Sequence, residues 1–231
     1  MSNFSLDMYK TFVFDCDGVL LDSNKVKTEA FFQAALPFGL SAAQSLVEYH
    51  VSNGGVSRYK KFEYFLEKIL SKSVEQTTAN LEDLLLAYAR NVREGLLSCE
   101  IASHLDELRI ETTNCRWLIV SGGDQEELRE ILEMRGIAKF FDGGIFGSPD
   151  SKDVILPREL ANDNIQLPAL FIGDSKYDYQ AASAAGLDFV FLSGWSEVAD
   201  WQTWVIENNL LNFGNLHGLL ETHHIDKGQS V

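Results

Sequence analysis

The sequence contains little cysteine, proline or positive charge, and each shortage narrows the class of protein. With 4 prolines and 45% hydrophobic residues among 231, the composition is that of an ordinary globular protein. The three cysteines, Cys16, Cys99 and Cys115, have no metal-binding spacing, and their odd number argues against a disulfide framework. No apolar run approaches the length that crosses a bilayer, and residues 1–10 show no signal-peptide pattern. We therefore expect a soluble protein of the reducing cytoplasm.

Acidic residues outnumber basic ones, which gives a formal net charge of −15. This charge opposes binding to nucleic acid and to anionic membrane surfaces, so we expect neither as a partner. The charge is also unevenly distributed, because residues 24–97 carry a net charge of +1 and the remainder −16. The difference predicts two structural units.

The stretch from Thr11 to Asp22 is the most informative part of the chain. A short apolar run ends abruptly in two carboxylates, Asp15 and Asp17, followed by Gly18. A buried strand that delivers acids to its carboxyl end is how an open α/β sheet builds a site. The alternative is a strand followed by an ordinary Asp/Gly turn.

Residues 24–97 show helical periodicity without an intervening strand pattern. We predict helices over 24–36, 41–50, 59–70 and 81–97, with a break at Asn53-Gly54-Gly55. This segment is therefore interpreted as an all-helical unit, inserted into a core made of residues 1–23 and 98–231.

The core segment from residue 98 alternates strands and helices. Candidate strands lie at 117–120, 145–146, 170–172 and 189–191, each followed by a helical stretch, and the tail from about His223 is predicted to fray. Repeated βα units predict a doubly wound parallel sheet with helices on both faces, an α/β fold.

Polar residues collect where these strands end. In a doubly wound sheet the carboxyl ends of neighbouring strands meet at one crevice. Clustered carboxylates need a compensating cation, and hard oxygen ligands favour Mg²⁺. A lysine and glycine amides beside the metal would hold an anion, so we predict a phosphoryl site. Its members are Asp15, Asp17, Ser121, Gly122, Lys152, Asp174 and Asp178.

These segments resemble the four motifs of the haloacid dehalogenase-like phosphohydrolase superfamily, in the family's order. The resemblance spans residues 9–23 and 98–195, and the helical insertion resembles the family's α-helical cap of the first type, found in the branch of phosphoglycolate phosphatase and β-phosphoglucomutase. The matching segments are Phe-Asp15-Cys-Asp17-Gly-Val, Val-Ser121-Gly, Lys152 and Gly-Asp174-Ser-Lys-Tyr-Asp178.

The resemblance implies catalytic roles for three residues. Asp15 would be the nucleophile that forms an aspartyl-phosphate, which water later cleaves. Asp17 would protonate the leaving alkoxide and then activate the water. Lys152 would neutralise charge on the nucleophile and on the transferring group.

The resemblance also implies binding roles. Mg²⁺ would be held by the side chains of Asp15 and Asp174 and the backbone carbonyl of Asp17. Asp178 would act through a metal-bound water or by orienting Lys152. The remaining pair, Ser121 and the Gly122 amide, would bind phosphate oxygens.

In the helical insertion, the segment from Asn53 to Arg58 is the candidate for substrate specificity. Glycines allow close backbone approach, so Asn53, Gly54 and Arg58 are predicted to contact the non-reacting end of the substrate. Arg58 and Lys61 share one helix face. The alternative is a helix start that carries solvated basic residues.

Three functions follow from this sequence. The first is Mg²⁺-dependent hydrolysis of a small phosphorylated metabolite such as a sugar phosphate. The second is a phosphomutase of the β-phosphoglucomutase kind, although that branch tends to carry adjacent acids in motif four. The third is a non-catalytic binding or regulatory relative, against which the intact set of motif residues argues. Monomer and dimer are both left open.

Overall fold

The computed structural model describes residues 4–70 and 80–228. Within them, six strands form one sheet in the order β3-β2-β1-β4-β5-β6, and all five neighbouring pairs are parallel. The strands are β1 (Thr11–Phe14), β2 (Arg116–Asp124), β3 (Gly144–Ser148), β4 (Ala169–Gly173), β5 (Asp188–Leu192) and β6 (Leu211–Phe213). This arrangement confirms the predicted doubly wound α/β sheet.

Helices separate the strands. They are α1 (Asn24–Ala35), α2 (Leu40–Ser52), α3 (Arg58–Tyr64), α4 (Leu81–Ser98), α5 (Leu105–Glu111), α6 (Gln125–Met134), α7 (Lys152–Ala161), α8 (Lys176–Ala184), α9 (Trp201–Glu207) and α10 (Leu216–Gly228). In the described part of the chain, three short 3-10 helices lie at Leu6–Met8, Leu36–Phe38 and Ala138–Phe140, and a π-helical turn at Phe65–Ile69 continues α3.

Strand β1 shows why the sheet is covered on both faces. Its residues are all fully buried, but their side chains alternate between two hydrophobic clusters. Phe12 and Phe14 pack in the cluster that includes α5, α6 and α10, whereas Val13 packs in the cluster that includes α7 and α8. A strand buried on both faces carries a continuous apolar run, as this one does.

The helical insertion after β1 is confirmed as α1 to α4, although its residues 71–79 lie outside the described part of the chain. Its aromatic side chains, including Phe31, Phe62 and Tyr88, pack with one another at ring-centroid distances of 4.5–5.9 Å. They belong to the same hydrophobic cluster as β1, so insertion and core share one apolar interior.

The carboxyl-terminal region differs from the prediction. The tail was expected to fray from about His223, but α10 runs to Gly228, and His223 is fully buried, with Nδ1 3.4 Å from the Leu6 amide that donates to it. Leu216, Leu219 and Leu220 share its helix face, and that apolar face docks on the core. Residues 229–231 of the predicted tail lie outside the described residues.

Candidate active site

The nucleophile candidate Asp15 lies directly after β1 and is 2% exposed. The Cys16 amide donates to its Oδ1 at 2.7 Å, and the ammonium of Lys152, from the start of α7, lies 3.0 Å from the same oxygen. Burial raises the pKa of Asp15 to about 7, with Lys152 opposing and Asp178 reinforcing the rise. Cys16 itself is buried, and burial raises the pKa of its thiol, so it is a packed side chain rather than a reactive one.

The carboxylate of Asp178 is fixed by local sequence at the start of α8. Ser175 and Asp178 form a reciprocal capping box, in which each side chain accepts from the other's backbone amide. Asp178 Oδ2 also accepts from the Ser175 hydroxyl at 2.7 Å and from the Asp174 amide at 3.2 Å. Its Oδ1 accepts from Lys152 Nζ at 2.5 Å. Both carboxylate oxygens are therefore occupied, and Asp178 fixes the position of Lys152.

Three buried carboxylates, from Asp15, Asp174 and Asp178, each place an oxygen within 4.8 Å of the others. Lys152 neutralises part of this charge, but burial and the neighbouring acids raise the pKa of Asp174 well above its usual range. A cluster of oxygens with more negative than positive charge fits a hard divalent cation such as Mg²⁺. The side chain of Asp17 lies outside this group.

Asp17 is instead held by helix α1. Its Oδ1 accepts from the Ser23 hydroxyl at 2.6 Å, and its Oδ2 forms an ion pair with Lys27. Burial opposes ionisation, but Lys27 and Ser23 outweigh it and keep the pKa of Asp17 below its usual value.

The next residue, Gly18, has φ +73°, and a Cβ there would lie 2.0 Å from Asp174 Oδ2. Glycine is therefore required where the loop after β1 passes Asp174.

Ser121 and Gly122 lie near the end of β2. Ser121 is fully buried, and its hydroxyl accepts from the Gly123 amide at 3.1 Å. Gly122 lines the same cavity as Asp15, and a Cβ on it would lie 2.1 Å from the carbonyl oxygen of Gly55 in the cap. The cap loop therefore packs directly on the backbone that the sequence predicted to bind phosphate.

The family model of the haloacid dehalogenase-like hydrolases matches residues 9–186, more than half of the chain. The chain belongs to the haloacid dehalogenase-like hydrolases. No functionally curated protein matches it significantly. The family's core explains why Asp15, Lys152 and Asp174 come from separate strand ends and still meet.

Solved structures share this hydrolase fold at low sequence identity. A predicted phosphoglycolate phosphatase from Haemophilus somnus has a TM-score of 0.71 at 16% identity, covering 94% of this chain and 99% of its own. A predicted phosphatase from Clostridium acetobutylicum has 0.69 at 19%, covering 97% and 100%. CbbY from Rhodobacter sphaeroides, in complex with phosphate, has 0.61 at 16%, covering 82% and 88%. These likenesses establish the fold.

The predicted specificity residues of this hydrolase lie at the cap–core boundary. Asn53 ends α2, where its side chain donates to the Tyr49 carbonyl at 2.8 Å, and Gly54 lines the cavity above Asp15. Arg58 also lines the cavity, but its guanidinium donates to Glu127 of α6 at 2.7 Å. Its charge is thus already paired with the core.

Several residues of the hydrolase site were missed by sequence reasoning. Lys27 precedes Phe31 by four residues and Ala34 by seven, and both are buried, so Lys27 lies on the apolar face of α1. A lysine at this helical spacing was the sequence signal that could have identified it. Lys61, which was noted as sharing a face with Arg58, is 2% exposed. The missed residues that line the cavity with Asp15 are Asn24, Lys27, His50, Tyr88 and Glu197.

The cavity enclosed by cap and core has a volume of about 60 Å³. That space holds a few water molecules and is too small for a phosphorylated metabolite. Among the described residues, no helix combines the length and the apolar character needed to span a membrane.

Proposed function

We propose that the protein is a Mg²⁺-dependent phosphatase that hydrolyses a small phosphorylated metabolite through an aspartyl-phosphate on Asp15. The observation that carries this proposal is the position of Asp15, buried 3.0 Å from the ammonium of Lys152 and within a group of three carboxylates. Membership of the hydrolase family supports the reaction class. We further propose that residues 24–97 are the cap domain and that residues 1–23 and 98–231 are the catalytic core.

In the proposed reaction, a carboxylate oxygen of Asp15 forms a bond to phosphorus while the ester oxygen leaves. Asp17 gives its proton to the leaving alkoxide and then, as a carboxylate, takes a proton from the water that cleaves the aspartyl-phosphate. The ion pair with Lys27 favours the carboxylate form, which the second step requires. For the first step Asp17 must leave this ion pair and take up a proton, because only the protonated acid can donate to the alkoxide.

The remaining residues bind and orient. Lys152 balances charge on Asp15 and on the transferring group, and Asp178 fixes the position of that lysine. We propose that the side chains of Asp15 and Asp174, with the Asp17 carbonyl, hold Mg²⁺ and that Asp178 supports this group. When bound, Mg²⁺ would neutralise negative charge on the phosphate and on the nucleophile. Ser121 and the Gly122 amide would bind phosphate oxygens.

A phosphatase is favoured over a phosphomutase by the acids of motif four. Adjacent acids are typical of the mutase branch, whereas here Gly173 precedes Asp174 and the next acid is Asp178, four residues later. The burial of Asp15 beneath the cap, rather than on an open surface, favours a small metabolite over a polymer as substrate.

The test is phosphate release from a panel of phosphorylated metabolites, with Mg²⁺ or with EDTA. We expect Mg²⁺-dependent release, which Asp15→Asn lowers by at least about 10³-fold because the nucleophile is lost. Asp106→Asn, which removes an exposed carboxylate of the core, is the matched control and keeps full activity. Full activity of Asp15→Asn would contradict the mechanism. Isomerised sugar phosphates instead of free phosphate would identify a mutase, and binding without turnover a non-catalytic relative.

A further inference from the structure

Two cap residues on the wall of the cavity, Lys61 and His50, form a buried pair that the proposed mechanism does not use. Lys61 is 2% and His50 7% exposed, and Lys61 Nζ lies 2.7 Å from His50 Nδ1. Both residues line the cavity that contains Asp15.

Lys61 differs from the other basic residues of the cavity in having no carboxylate close enough for an ion pair among the described residues. Three basic side chains line the cavity. Lys27 is paired with Asp17, and Arg58 with Glu127. Among the residues that the structure describes, Lys61 has no carboxylate partner; its neighbours are the His50 ring and the face of Phe31, 5.5 Å from the ammonium. A buried ammonium without an anion is costly, which points to a ligand that supplies one.

The tautomer of His50 adds a second free donor. Burial, reinforced by Lys61 and Lys27, lowers the pKa of His50 to about 2, so the imidazole is neutral. Because Nδ1 accepts from the Lys61 ammonium, the ring hydrogen is on Nε2. Nε2 is buried and has no hydrogen-bond partner within the described chain. One cavity wall therefore holds an ammonium and an N–H whose hydrogen bonds are incomplete.

We propose that Lys61 and His50 form a subsite for a second anionic group of the substrate, so that the preferred ester carries a carboxylate or a second phosphate besides the reacting phosphate. This inference rests on the proposed phosphatase function. Oxygen atoms of such a group would accept from Lys61 Nζ and from His50 Nε2.

The other titratable groups of the cavity are compatible with this subsite. Burial, followed by the ammonium of Lys27, lowers the pKa of Lys61 to about 7, and a bound anion would restore its full charge. Glu197 also lines the cavity, but its carboxylate accepts from the Thr28 hydroxyl at 3.2 Å, and burial raises its pKa. The carboxylates of Asp17, Glu197 and Asp15 oppose part of the lowering of the Lys61 pKa, but among the described residues none of them forms an ion pair with Lys61.

The experiment compares three esters that differ at one end: glycerol phosphate, phosphoglycerate and glycerol bisphosphate. The first has a neutral hydroxymethyl group where the second has a carboxylate and the third a phosphate. KM and kcat are measured with Mg²⁺ for wild type, Lys61→Met, His50→Phe and the control Lys68→Met, which removes an exposed cap lysine. Dissociation constants are measured by calorimetry on Asp15→Asn, which reports binding without turnover.

We expect Asp15→Asn to bind at least one of the two charged esters at least about 10-fold more tightly than glycerol phosphate. Lys61→Met should raise KM for that ester by about 10- to 100-fold, and His50→Phe by a smaller factor, with little change for glycerol phosphate or for Lys68→Met. Which charged ester is preferred identifies a carboxylate or a phosphate as the second anion.

Two results would overturn the subsite. One is equal affinity for all three esters, including an absence of measurable binding. The other is an equal KM increase for charged and neutral esters in Lys61→Met. If the charged ester binds preferentially to Asp15→Asn but wild type releases no phosphate, the subsite stands and the proposed hydrolysis fails, so the two proposals are separable.

Discussion

The core buries Lys152 against Asp15, and the cap buries Lys61 in the wall of the cavity that Asp15 also lines. The two lysines have opposite electrostatic surroundings. Lys152 of the core lies 3.0 Å from Asp15 and 2.5 Å from Asp178, and although burial opposes it, these acids raise the pKa of the ammonium. Lys61 of the cap has a neutral imidazole at 2.7 Å, and burial lowers its pKa to about 7. The core therefore supplies its own counter-ions, whereas the cap leaves a cation for a ligand.

The difference follows from how each region is built. The core takes its charged residues from strand ends, where parallel topology brings acids and Lys152 to one edge. The cap takes its charged residues from helix faces, where each side chain meets whatever the opposing helix presents. Lys61 of α3 thus meets His50 of α2 instead of an acid.

Among the replacements of basic residues, the largest effect is expected for the core lysine, Lys152. Lys152→Met should lower phosphate release by about 10²–10³-fold, because Asp15 and the transferring group lose their cation. Leaving two buried acids unpaired should also cost about 3–5 kcal/mol of unfolding free energy. Initial rates and urea unfolding measure the two effects. Lys176→Met removes a half-exposed lysine of the core and is the control; activity of Lys152→Met within a few-fold of wild type would refute the assigned role.

The cap lysine, Lys61, should make the free energy of unfolding depend on pH above pH 7. The pKa of Lys61 is lower in the folded than in the unfolded chain, so above pH 7 the unfolded chain binds more protons and stability rises with pH. This rise amounts to about 2 kcal/mol between pH 7 and pH 9 for the wild type. Lys61→Met should lack it, and Lys68→Met should keep it. Urea unfolding at both pH values measures the difference; parallel curves for wild type and Lys61→Met would disprove it.

Arg58 tests whether a cap cation bound to the core acts as a specificity residue or as a tether. Its guanidinium is buried against Glu127, so Arg58→Ala should cost about 2–3 kcal/mol of unfolding free energy, an effect measured by urea unfolding. As a tether it would raise KM for charged and neutral esters by the same factor. A KM increase confined to the charged ester would instead support direct recognition of the substrate. A double-mutant cycle with Glu127→Gln isolates the pair.

The smallest effect is expected at the exposed cap–core ion pair of Arg93 and Glu130, 2.6 Å apart. Solvent and salt screen such pairs, so Arg93→Ala should leave KM and urea unfolding unchanged. An increase in KM for every ester would contradict this expectation. It would show that the exposed Arg93–Glu130 pair, like the Arg58–Glu127 pair, holds the cap against the core.

Several elements were missed by sequence reasoning because their local signal is weak. Strand β6 has three residues, largely exposed at the edge of the sheet, where no apolar run is needed. The two helices α5 and α10 were also not predicted. Helix α10 contains a histidine on its apolar face, and only docking on the core shows that His223 belongs to the interior.

The residues that carry the proposed chemistry were all identified from the sequence. Asp15, Asp17, Lys152 and Asp174 follow strands or begin helices, and a parallel sheet places those positions at one edge whatever the loops do. The parallel pairing and the covering of both faces likewise follow from apolar runs alternating with helical patterns. The strand order, β3-β2-β1-β4-β5-β6, was not predicted and is known only from the structure.

The tertiary structure alone decided which cations are balanced. Arg58 and Lys61 are three residues apart on one helix and look alike in the sequence, yet the first meets Glu127 and the second His50. The reason is physical: the charge state of a buried group depends on its neighbours within a few ångströms, and those neighbours come from segments far apart in the chain. Sequence therefore determined the edge of the sheet at which the proposed site lies, and cap packing determined which buried lysine has no carboxylate partner among the described residues.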